Sequence, residues 1–120
     1  MKVPLPDEQE ELIHNYILHT YLLNILESDL KTITNACFKI HEPYFKLVEE
    51  TLRKIRIKVR DMKVELRKNK MKIEEPFLDN VDFWQYDYYA RGYHGFKRYW
   101  EPALKMHSTN LLDEYFRSSQ

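Results

Sequence analysis

Glu11-x-x-His14 sets a carboxylate and an imidazole three residues apart, which on a helix places both on one face. Di-iron helical bundles use two such motifs plus two further carboxylates, so this spacing could contribute half of a metal site. The chain has no second E-x-x-H, and His41 is followed directly by Glu42. An incomplete motif reads as a surface Glu and His near a helix start, and no metal is assigned to it. His19 falls among apolar residues and reads as a hydrogen-bonded core or interface histidine. Cys37, the single cysteine, lies on the same stripe, where burial as a small hydrophobe is expected and nucleophilic chemistry is not. His94 stands between Tyr93 and Gly95, close to Arg91, in a stretch expected to be a loop. No Ser or Cys nucleophile or paired acid stands at a readable spacing to it. The two glycines cannot write a phosphate-binding loop. These residues predict a non-enzymatic protein with no catalytic residues, no cofactor and no small-molecule substrate.

Two surfaces carry chemistry of another kind. Net charge is zero, yet residues 53–72 hold 10 basic and 2 acidic side chains. Within that block Arg53, Arg56, Arg60, Lys63 and Arg67 step by three and four. On a helix they would run about 21 Å along one face, a length that could track several phosphates. The second surface is the segment 83–100, which holds nine of the 17 aromatic residues. Tyr and Trp beside Arg are the types enriched at protein interfaces. Tyr93, Phe96 and Trp100 are the expected anchors, with Arg91 and Arg98 at the rim or as hot spots.

Those surfaces need elements to hold them. Pro4 and Pro6 followed by Asp7-Glu8-Gln9-Glu10-Glu11 mark a helix start. Leu12, Tyr16, His19, Leu23, Leu26, Leu30, Ile33, Cys37 and Ile40 then alternate steps of four and three. Ile13, Ile17, Leu18, Tyr21, Leu22 and Ile25 widen that stripe, so the first half of this helix should be buried by two neighbours. A break near Ser28 is open. A second stripe, Val48, Leu52, Ile55, Val59, Met62 and Leu66, has coiled-coil spacing and continues to Ile73 one heptad on. Asp79 or Asn80 would cap a third helix. Tyr86, Tyr89, Tyr93, Phe96 and Trp100 also step by three and four, with Gly92 and Gly95 as the point of a break. Pro102 would begin the last helix, with Leu104, Leu111, Leu112, Tyr115 and Phe116 as its apolar side.

The expected fold is all-α: one domain over 1–120, an antiparallel up-down bundle of three or four long helices with coiled-coil-like seams. The helices fall at about 7–41, 43–73, 80–91 and 96–117, the last as a fourth helix or a continuation. So few glycines argue against a hairpin-rich β fold. The uncharged run from Leu12 to Leu26 is too short to span a membrane, and Met1-Lys2-Val3-Pro4 lacks a signal-peptide pattern, so the expected location is the cytoplasm. The expected partner is another protein or a second copy of the chain. The alternative is a nucleic acid on the basic helix, and the second alternative is a metal-dependent helical-bundle enzyme.

Overall fold

The computed structural model describes residues 5–35 and 42–118. Its elements are α1 (Asp7–Asn35), α2 (Glu42–Lys68), β1 (Met71–Ile73), β2 (Phe77–Leu78), β3 (Phe83–Ala90), β4 (Tyr93–Trp100) and α3 (Glu101–Ser118). The architecture is α+β, an antiparallel sheet laid on helices, and the all-α bundle expected from the sequence is corrected by it.

The first two helices follow their sequence pattern. The Pro6 carbonyl accepts the Gln9 and Glu10 N–H groups at 2.9 and 3.0 Å, which starts α1. Leu22 and Leu26 meet Leu52, Ile55, Val59 and Met62, all buried, along an antiparallel seam. Each fully buried Leu or Ile there contributes about 1.5–3 kcal/mol. Ile13, Ile17 and Leu18 pack instead with Tyr86, Tyr88 and Ala90 of β3 and Leu104 of α3. Thus α1 is buried on two sides, by α2 and by the sheet with α3. It runs unbroken past Ser28 to Asn35, while Cys37 and the expected residues 36–41 of the first helix lie outside the described residues. Among the described residues, no helix is long and apolar enough to cross a membrane.

The correction begins at the end of α2. Lys70 takes a positive φ of 56°, its N–H donates to the Arg67 carbonyl, and the chain turns out of the helix. The expected second helix therefore stops at Lys68, and Ile73 sits on β1, not one heptad further along. The expected third helix, 80–91, is β3, and 96–100 of the expected fourth is the second half of β4. The cause is a two-residue turn. Ala90 pairs with Tyr93, and Arg91 and Gly92 between them have φ of 51° and 87°. Two successive positive values make the type I′ turn that matches strand twist. The other glycine serves the same hairpin: Gly95 lies opposite Tyr88, whose ring occupies the space a side chain would need. Two glycines suffice for this hairpin, which is why counting them misled.

Asp79 caps no helix. Its Oδ1 accepts the N–H groups of Val81 and Phe83, both at 2.9 Å, and its other oxygen pairs with Arg98. The Phe83 bond, more than the arginine, holds this carboxyl below its ordinary value. The final helix begins at Glu101, next to the expected Pro102, and buries Leu104 and Ser108. The Ser108 hydroxyl has no hydrogen-bond partner among the described residues. Ser108→Ala should therefore raise the free energy of unfolding by about 1 kcal/mol, measured by urea titration.

His19 is a core histidine, as its stripe position suggested. The Asn15 carbonyl only accepts, so Nδ1–H donates to it at 2.7 Å, and Nε2 then accepts the Tyr115 hydroxyl at 2.8 Å. That arrangement suits a neutral ring, and burial lowers its pKa from 6.5. Below pH 6.5 the unfolded chain binds a proton that the native ring resists. This contribution to stability is complete above pH 6.5 and is lost as pH falls through the lower folded value. Urea midpoints should drop between roughly pH 7.5 and pH 5, and His19→Gln should reduce that drop. An equal drop in the variant would assign it elsewhere.

Candidate docking face

The sheet has two faces set by strand alternation. In β3, Trp84, Tyr86, Tyr88 and Ala90 point toward the helices, and Tyr86, Tyr88 and Ala90 are buried. Their neighbours Phe83, Gln85, Asp87 and Tyr89 point the other way. Register places Trp100, Arg98, Phe96 and His94 of β4 opposite these four, in that order. On the far edge of β3, Phe77 pairs with Gln85 and Lys72 with Tyr89, completing the outer face. Phe77, Tyr89, Phe96 and Trp100 are 43–54% exposed.

The polar groups of this face come in matched pairs. The Arg98 guanidinium lies 4.7 Å from the Phe83 ring centroid while pairing with Asp79. His94 Nε2 is 3.4 Å from Asp87 Oδ1, which also accepts Gln85 Nε2–H at 3.0 Å. The His94 ring stacks on Tyr89 with centroids 5.0 Å apart. Lys72 stands 3.6 Å from Glu74. The face is thus aromatic, polar at intervals and close to neutral.

Of the anchors expected from sequence, Phe96, Arg98 and Trp100 stand together on this face at alternate positions of β4. Tyr93 is exposed at the end of the strand but belongs to the helix-side register. Arg91 is an internal tie. Its guanidinium donates to the Asn69 carbonyl and to Gln9 Oε1, both at 3.0 Å, joining the turn to the residue that follows α2 and to α1. His94 lies on a strand, not in a loop. Sequence reasoning missed Phe77, Phe83 and Tyr89; the signal available for the last two was the Arg91-Gly92 turn, with Gln85 and Asp87 between the apolar Trp84, Tyr86 and Tyr88.

The basic residues Arg53, Arg56, Arg60, Lys63 and Arg67 are all exposed on α2, away from the sheet face. Arg56 reaches Glu27 at 3.4 Å and Arg60 reaches Asp61 at 3.8 Å, exposed pairs of little energetic weight. His14 and Glu11 do not converge on a metal-binding group. His14 Nδ1 shares a 2.8 Å hydrogen bond with the Tyr99 hydroxyl, and Glu11 is exposed. Among the described residues no cluster of three His, Cys, Asp or Glu side chains has metal-site geometry. The di-metal helical bundle that this motif would need is not this fold.

These features define a small α+β domain, a helical hairpin and a third helix backing a sheet whose far face is open and aromatic. The YhjD protein family model matches residues 4–120, and the chain belongs to that family. It is 30% identical over 114 residues to the uncharacterized protein YhjD of Bacillus subtilis (strain 168), covering 92% of this chain and 94% of that one. No solved structure matches it.

Proposed function

We propose that this chain is a non-enzymatic, cytoplasmic binding module that docks a protein through the outer face of its sheet. The observation that carries this is the row Phe96, Arg98, Trp100 flanked by Phe77 and Tyr89, exposed on a rigid sheet. Rigid aromatic side chains bury large area on docking at low entropy cost, and arginine adds directional hydrogen bonds. Matched charges on the face favour a protein surface over a polyanion, since a phosphate backbone rewards unpaired cations. The occupant is a second copy of the chain or a different protein, and sedimentation equilibrium over a range of concentrations separates the two. Either way, association must depend on Phe96 and Trp100, and binding that ignores them ends this reading.

A second reading rests on the exposed α2 stripe, with a nucleic acid as ligand. Its signature is oligonucleotide binding that weakens steeply with salt and disappears when Arg56 and Arg60 become Glu. No binding at low salt makes the stripe a solvated helix face.

A further inference from the structure

On the helix side of the sheet, a cleft of about 410 Å³ opens between α1 and the strands, with Tyr21, Trp84 and Tyr86 in its walls. A smaller cavity of about 60 Å³ adjoins it, sharing Tyr21, Asn24, Pro76 and Tyr86 and lined also by Tyr16 and Glu75. The volume of the cleft is within the range of small-molecule sites. Four aromatic rings thus line the two adjoining cavities.

Tyr86 is the informative residue. Only 4% of it is exposed, yet its hydroxyl has no hydrogen-bond partner among the described residues. Among the described residues the buried side-chain oxygen without a partner is that of Ser108, so the Tyr86 oxygen is not enclosed but opens to the cleft. Here its polar end is left for whatever enters the cleft. The charges at the cleft are of one sign: Asp29 borders the cleft and Glu74 and Glu75 the smaller cavity. Glu74 is matched by Lys72 at 3.6 Å, which leaves Glu75 and Asp29. No Lys, Arg or His lines either cavity among the described residues. Burial pushes the Tyr16 and Tyr86 phenols above their ordinary value, with Glu75 next for Tyr16, and with Tyr21 and Tyr99 ahead of Glu75 for Tyr86. Trp84 is anchored in the wall by its indole N–H, which donates to Glu101 Oε2 at 2.9 Å.

We propose that this cleft binds a small organic cation, a primary ammonium on an apolar body, with the ammonium at Tyr86 and Glu75 and the body against Tyr21 and Trp84. Aromatic walls attract a cation through their ring faces, and the carboxylates supply the complementary charge. The Tyr86 oxygen accepts one ammonium N–H. This site is separate from the outer sheet face and does not depend on docking there.

Phenethylammonium is the probe, with phenethyl alcohol and phenylacetate as neutral and anionic controls of similar shape. The readout is the indole N–H resonance of Trp84 in ¹⁵N-labelled protein, with Trp100 on the opposite face as internal reference. Saturable shifts of Trp84 and the Asn24 amide are expected at sub-millimolar to low-millimolar concentration, as suits a ligand of about ten heavy atoms. Trp100 should not move. The controls should bind at least about tenfold more weakly. Glu75→Gln and Tyr86→Phe should each weaken binding by roughly three- to tenfold. Glu75 is exposed, and Tyr86→Phe removes a hydroxyl with no protein partner, so both variants keep the fold. The proposal is overturned by no saturable shift at Trp84 up to roughly 10 mM, or by controls binding within about twofold of the amine. Unchanged affinity in both variants overturns it too.

Discussion

Exchanging Phe96 and Trp100 together for serine will weaken the proposed docking by at least about 100-fold and leave the domain folded. The size follows from what the two side chains are. Central aromatic anchors cost about 2 kcal/mol or more each when truncated, and two of them exceed the factor stated. The fold survives because Phe96 and Trp100 are about half exposed and stand on the face away from the helices. Serine in their place costs the strand no more than about 1 kcal/mol each in propensity. Calorimetry or sedimentation with wild type and variant side by side gives the ratio, and circular dichroism reports the fold. Intact structure with unchanged binding would remove the outer face from the docking surface. Collapse of the structure would place both rings in the core and sink the assignment.

Gly95→Val should cost about 3 kcal/mol of stability, a large effect for a residue with no side chain to lose. A Cβ at this position would stand 2.5 Å from Cζ and the hydroxyl of Tyr88. No real contact is that short, so the ring has to move. Tyr88 is buried among Ile13, Ile17 and Leu104, and displacing it disturbs the layer between the sheet and α1. Valine's strand preference returns less than about 1 kcal/mol. A double-mutant cycle tests the cause. Tyr88→Ala alone is destabilising, but with the ring gone the valine has room, so the pair should fall short of the sum by at least about 1 kcal/mol. Strict additivity would mean that Gly95 is needed for its backbone and not for the space beside Tyr88.

The parts of the fold that were legible are those with one neighbour per face. On α2, Leu52, Ile55, Val59 and Met62 face the α1 seam, Leu66 continues the same stripe into the sheet side of the core, and the opposite face of the helix meets water, so period and burial coincide. Over 83–100 they do not. Tyr86, Tyr88 and Ala90 face the core, but Phe83 and Tyr89 on the other side are just as apolar. Hydrophobicity then fails to alternate with the strand, and a three-four spacing can be drawn through Tyr86, Tyr89, Tyr93, Phe96 and Trp100 by choosing from both faces. The open aromatic face concealed its own strand. Arg91-Gly92 was the remaining clue, a two-residue turn between aromatic runs. Composition was enough to place Phe96, Arg98 and Trp100 at a surface. It was not enough for Arg91, whose bonds to Asn69 and Gln9 join residues far apart in the chain.

The two-sided burial of α1 also sets a timetable for synthesis. One side of α1 is covered by α2, which follows it directly off the ribosome. The other side, Ile13, Ile17 and Leu18, waits for strands and a helix that end at residue 118. At roughly 5–20 residues per second, the 50 or so residues beyond α2 take about 3–10 s to make. For those seconds the nascent helical hairpin presents a finished apolar surface whose cover does not yet exist.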